Sequence, residues 1–122
     1  FGLTPGVSGP RLSILKKRED FLASRGGPAA HTPSFLLALS PRANGLSNPR
    51  IGFTVTKKLG GAVVRNRIRR RLKSAAAEIF PAAATPGRDY VVIARAAAET
   101  RAYALLLDDM KRALLRLSRD AI

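Results

Sequence analysis

Residues 57–73 read KKLGGAVVRNRIRRRLK and hold eight basic side chains, Lys57, Lys58, Arg65, Arg67, Arg69, Arg70, Arg71 and Lys73, with no acid among them. Cations at this density suit contact with phosphates, because each one that meets a phosphate neutralises it and releases condensed counterion. On a helix, Arg65/Arg69, Arg69/Lys73 and Arg67/Arg71 are i,i+4 pairs, and like charges at that spacing repel by about 0.2–0.5 kcal/mol each. An ordinary solvated helix face mixes its signs to avoid this. A face that does not is suited to a polyanion.

Side-chain catalysis has fewer parts to work with. His31 is the sole histidine, the chain has no cysteine, and no acid lies beside His31 in sequence to complete a dyad. Asp108 and Asp109 are adjacent, so on a helix they diverge by about 100°, and Lys111 and Arg112 offer them simple surface pairing. Gly60-Gly61 ahead of a helix could present backbone N–H groups to a phosphate. It lacks the lysine and the spacing of a nucleotide-hydrolysing loop.

These groups need elements to position them. Residues 51–56 alternate, with Ile51, Phe53 and Val55 on one face and Gly52, Thr54 and Thr56 on the other, which predicts a half-buried strand. After Gly60-Gly61, residues 62–80 predict a helix stopped by Pro81. Val64, Ile68, Leu72, Ala75 and Ile79 form its apolar stripe. Asn66, Arg69, Arg70 and Lys73 lie opposite, Arg65 and Arg67 flank them, and Arg71 must snorkel from the stripe edge. Residues 34–40 form an apolar run of strand length between Pro33 and Pro41, and 90–94 (YVVIA) read as a central strand. Residues 102–117 carry helical spacing, with Thr100 as N-cap and Asp108/Arg112 as an i,i+4 pair. The second half of residues 11–25 is helix-compatible and is closed by Gly26-Gly27-Pro28. The predicted order is α-β-β-α-β-α.

The whole chain of 122 residues carries 22 Lys+Arg against 8 Asp+Glu, a formal net charge of +14. That length suits one domain with a true core, here 11–122, preceded by a Gly/Pro-rich flexible arm, 1–10, that starts without an initiator Met. The absence of cysteine excludes disulfides and thiolate chemistry and fits a reducing, cytoplasmic setting. No apolar run approaches the length of a membrane span, and no signal peptide is legible. A polyanionic partner follows from the charge. RNA is favoured over DNA because the basic helix lies between strands, without a helix-turn-helix or basic-zipper pattern.

The stretch GFTVTKKLGGAVVRNRIRRRLK, residues 52–73, resembles the signature of the protein subunit of bacterial ribonuclease P: a strand, two lysines, a Gly-containing turn and a helix opening on Arg-Asn-Arg. LKKREDF (15–21) is similar to the family's first helix and DYVVIAR (89–95) to its third strand. Only the arm and the Pro-rich loop fall outside the resemblance. It implies a single-domain α+β sandwich. The handedness rule alone predicts a right-handed crossover through the basic helix, whereas the resemblance implies a left-handed β-α-β crossover.

The resemblance also implies a division of labour. A large catalytic RNA with bound Mg²⁺ hydrolyses the phosphodiester that joins the 5′ leader to tRNA, and the protein, one per RNA, binds that RNA and precursor tRNA. On the matching positions Arg65, Asn66, Arg67, Arg69 and Arg70 would contact the catalytic RNA or help organise metal near the cleavage site, with Lys57, Lys58 and Lys73 on the same surface and Mg²⁺ bound mainly by the RNA. The leader would lie in a shallow cleft touched by Lys17, Phe21, Arg25, Thr54 and Thr56, where one base stacked on Phe21 is worth about 1–3 kcal/mol. Arg25 and Ala38 stand where relatives often carry further aromatics, and Gly61 where a polar helix cap is common. The alternative from another class is a structural ribosomal or nucleoid protein, which shares the basic surface but has no substrate cleft.

Overall fold

Alternation along three strands decides which side of the sheet carries the core. In the computed structural model, which describes residues 13–14, 27–43, 49–84 and 87–120, the strands are β1 (Ser13–Ile14), β2 (Ala29–His31), β3 (Phe35–Ala43), β4 (Arg50–Thr54) and β5 (Arg88–Ala94). The helices among these residues are α1 (Ala62–Ala83) and α2 (Tyr103–Asp120), with short 3-10 turns at Lys57–Leu59 and Ala96–Glu99. The strands form one five-stranded sheet in the order β1-β4-β5-β3-β2. β1, β4 and β5 run parallel, while β3 is antiparallel to β5 and β2 antiparallel to β3.

Register aligns Ile51 with Tyr90 and Leu39, and Phe53 with Val92 and Leu37. Side chains at such partner positions share a face. That face is covered by Ile68, Leu72, Ala75, Ala76 and Phe80 of α1 and by Leu106, Met110, Ala113, Leu114 and Leu117 of α2. The stripe predicted for the basic helix is therefore its buried side, with Val64 and Ile79 packed at the margin. Phe80 meets Tyr90 edge to face, with centroids 5.2 Å apart, a geometry aromatic rings favour. The described residues thus form the expected α+β sandwich of one sheet layer and one helix layer, and α1 crosses between the parallel neighbours β4 and β5.

The elements depart from the predicted order in detail. The helix expected within 11–25 and the arm 1–10 lie outside the described residues, apart from the two residues of β1. β1 and β2, of two and three residues, are additions to the predicted order, too short to show any period. β3 runs through Pro41 to Ala43 instead of stopping at Ser40, and its pairing with β5 shifts register between Leu39 and Ala43. Such an irregularity accommodates a residue without an N–H. β4 ends at Thr54, although Val55 is still buried. α1 passes Pro81 and ends at Ala83: Pro81 forgoes its own bond to the preceding turn, and the Ala84 N–H still closes on the Phe80 carbonyl at 2.8 Å.

Thr100 does not cap α2. Its N–H closes the preceding 3-10 turn on the Ala97 carbonyl (3.3 Å), and α2 starts from the Ala102 carbonyl, which accepts from Leu105 and Leu106. Gly60 has φ +142°, and a Cβ there would stand 3.0 Å from the Val64 side chain. The sharp entry to α1 depends on a glycine at this position.

Candidate nucleic-acid interface

Amphipathic spacing turns one side of α1 into the core and leaves the other to solvent. On the outer side Asn66, Arg69, Arg70 and Lys73 line one shallow, open hollow, with Asn66, Arg70 and Lys73 exposed and Arg69 half-buried. These are the four residues the helical wheel places opposite the stripe. No acid lines the hollow. Lys57 and Lys58 are exposed on the 3-10 turn before the helix, and Arg65 Nε donates to the Gly60 carbonyl at 3.2 Å. Six of the eight predicted RNA-facing side chains are therefore free of any acidic partner among the described residues, and Asn66 is uncharged.

Arg67 is the exception. Its Nη1 donates to Glu99 Oε2 at 2.8 Å, so the acid missing from residues 57–73 comes from the turn Ala96–Glu99. Arg71 is not a ligand in waiting either: it donates to the Ala98 carbonyl at 2.5 Å and to the Arg101 carbonyl. Its predicted snorkelling ends on backbone oxygens and ties α1 to the segment leading into α2. Glu78, the one acid of α1, accepts from Tyr103 Oη at 2.5 Å, while Ser74 Oγ lies 2.8 Å from the same hydroxyl. The Glu78 carboxylate holds the Tyr103 phenol above its ordinary range by accepting its proton in a hydrogen bond, and Ser74 opposes this.

The second candidate surface is the sheet face away from α1 and α2. Thr54 aligns with Ile93 and Leu36, and Gly52 with Val91 and Ala38, so Thr54 and Ala38 share that face, in keeping with the alternation. Thr56 is exposed beyond the end of β4 and stays extended (φ −79°, ψ 159°) at the start of the 3-10 turn. Lys17, Phe21 and Arg25 lie outside the described residues. At the far end of the same face Arg50 makes a bidentate pair with Asp89, at 2.8 and 2.7 Å.

Sequence reading misses the partners that come from afar. Asp109, for which surface pairing is expected, is instead buried, held by Arg101 Nε at 2.6 Å and Ser34 Oγ at 2.8 Å. Ser34 is 75 residues away in sequence, and no local pattern signals such a contact. Asp108 does meet Arg112, loosely, at 3.5 Å. His31 Nδ1 lies 3.0 Å from Arg95 Nη2. Among the described residues no three His, Cys, Asp or Glu side chains gather to hold a metal ion, and no helix is long and apolar enough to cross a membrane.

Comparison with known proteins adds a third kind of observation. Residues 10–118 match the family model described as Ribonuclease P. The chain is 46% identical over 106 residues to a ribonuclease P protein component of Caulobacter vibrioides, covering 87% of this chain and 71% of that protein. It is 50% identical over 113 residues to the corresponding protein of Paramagnetospirillum magneticum, covering 87% and 83%. Among solved structures it is similar to a Staphylococcus aureus RNase P protein mutant with defective mRNA degradation activity, with a TM-score of 0.72 and 26% identity over 86% of this chain and 87% of that one. Likeness to the RNase P protein from Thermotoga maritima, with a TM-score of 0.66, 24% identity and coverage of 84% and 91%, supports the fold alone.

Proposed function

The chain belongs to the ribonuclease P protein family, and from that premise we propose that it binds the catalytic RNA of ribonuclease P through α1 and the 5′ leader of precursor tRNA through the sheet face away from α1 and α2. The observation that carries this reading is the hollow of Asn66, Arg69, Arg70 and Lys73, a concave basic surface with no acid in its lining. Two structured RNAs that must lie against each other repel through their phosphates. A cationic face between them lowers that repulsion and releases counterions from both.

Arg69, Arg70 and Lys73 would each meet phosphate directly, and Asn66 can both donate and accept a hydrogen bond at a sugar or base edge. Lys57 and Lys58 extend the same charge past the helix entry. Arg67 would join by exchanging Glu99 for a phosphate, and both side chains are partly exposed, which leaves that exchange open. Thr54 and Thr56 would line the leader path, with Lys17, Phe21 and Arg25 completing it. Mg²⁺ and the phosphodiester hydrolysis are assigned to the RNA partner, and the protein's own work is placement and charge neutralisation in the cytoplasm.

The test is equilibrium binding by the complex of this chain with the cognate RNase P RNA. Tighter binding of precursor tRNA carrying its leader than of mature tRNA is expected. Equal affinity for the two, or failure to form the complex, contradicts the reading and leaves the structural RNA-binding class.

A further inference from the structure

The β2 edge of the sheet, where α2 packs, carries a second concentration of positive charge. There the turn between β2 and β3 and one side of α2 enclose a hollow of about 200 Å³ lined in part by His31, Asp109, Arg112 and Arg116. β2 is an edge strand three positions from β4, the strand that leads into α1, roughly 14 Å across the sheet, so the two basic surfaces are set apart.

One like-charge pair and one arginine–imidazole contact mark it. Arg112 and Arg116 are exposed and stand four residues apart on α2, a spacing at which like charges repel. Arg95 and His31 are also exposed, with Arg95 Nη2 3.0 Å from His31 Nδ1. A guanidinium only donates, so Nδ1 accepts and the ring proton sits on Nε2, which leaves the imidazole one more donor to offer.

The acids nearby do not cancel this charge. Asp109 is 4% exposed and already held by Arg101, at 2.6 and 3.1 Å, and by Ser34. Asp108 reaches Arg112 only at 3.5 Å, with the two side chains 51% and 79% exposed, a pairing loose enough to give way to a stronger anion. Arg95 and Arg116 have no acidic partner among the described residues.

We propose that this hollow is a second phosphate-binding site, which takes the phosphodiester backbone of an RNA segment separate from the one that meets α1. The inference rests on the RNase P reading, since the catalytic RNA supplies both segments. The protein then acts as a clamp between two backbones, with α1 on one and the β2 edge on the other.

The full chain, the double variant Arg112→Gln/Arg116→Gln and the charge-preserving Arg112→Lys/Arg116→Lys are to be compared for binding to RNase P RNA across a salt series, with hydroxyl-radical footprinting of each complex. The Gln variant is expected to bind roughly 3- to 30-fold more weakly, with a log K against log salt slope shallower by up to about two units. It should also lose protection at a segment different from the one lost by Arg69→Gln/Arg70→Gln. The Lys variant should keep most of the slope. An unchanged slope and footprint in the Gln variant, with the α1 variant still impaired, overturns the second site alone. A wild-type chain that does not bind the RNA overturns the second site together with the reading it rests on.

Discussion

Arg67 and Arg70 stand three residues apart on α1, yet among the described residues only Arg67 has an acidic partner. Arg70 is exposed in the open hollow, while Arg67 is paired with Glu99 at 2.8 Å. An exposed pair of this type contributes about 0.2–1 kcal/mol, and Arg67 must surrender it before meeting a phosphate. Arg70→Ala should therefore lower the magnitude of the salt slope for RNA binding by up to about 0.9 unit. Arg67→Ala should lower affinity less than Arg70→Ala, by up to about fivefold for the pair already held. Filter binding across a salt series checks both, and a larger loss at Arg67 would contradict the order.

Tyr103 offers a separate check at this scale. Glu78 holds its phenol above the ordinary range, so the folded state favours the protonated form. Any stability from this pair is present below the ordinary tyrosine range and lost as pH rises through the raised value. In an ultraviolet titration Glu78→Gln should bring the Tyr103 step back down; a step that does not move would mean the hydrogen bond has little influence.

At the scale of elements, the entry to α1 sets where the basic face points. Gly60 at φ +142° cannot take a side chain without strain and a contact on Val64, so Gly60→Ala should cost about 1–3 kcal/mol in denaturant unfolding. Gly61 is the N-cap, has no side-chain cap bond, and has open space where a Cβ would go. Gly61→Ser should add a few tenths of a kcal/mol. The opposite signs at neighbouring glycines make a sharp test of the turn.

The strand of residues 51–56 is readable in sequence because every second residue faces the core, and the basic face of α1 because a 3.6-residue period separates its sides. β2 leaves no trace there, since three residues cannot display a period and the strand exists through pairing with β3. Thr100 misleads because a residue type that favours caps need not form one, and here a 3-10 turn intervenes before α2. The hollow of Asn66, Arg69, Arg70 and Lys73 is legible as a helix face. Glu99 on Arg67 is not, because it arrives from a turn 32 residues further along the chain.

Across the whole molecule, a net charge of +14 is less important than where its few acids go. Of the 8 acids, five are engaged by the described residues: Glu78 with Tyr103, Asp89 with Arg50, Glu99 with Arg67, Asp108 with Arg112 and Asp109 with Arg101. Negative charge is thus committed within the fold, while Lys57, Lys58, Arg70 and Lys73 are left outward. Added salt should then act with opposite signs, raising the melting temperature of the free chain by screening self-repulsion and weakening its RNA complex. A free chain destabilised by moderate salt would show instead that its ion pairs outweigh the repulsion.

In the proposed function, charge placement by α1 assists an RNA that performs the cleavage. The direct measurement is the rate of 5′ leader removal from precursor tRNA by the cognate RNase P RNA at low Mg²⁺, alone, with the wild-type chain, and with Arg69→Gln/Arg70→Gln. The wild-type chain should stimulate cleavage strongly and the variant far less, with the difference shrinking as Mg²⁺ rises and replaces the missing cations. No stimulation by the wild-type chain, or equal stimulation by the variant, would contradict it.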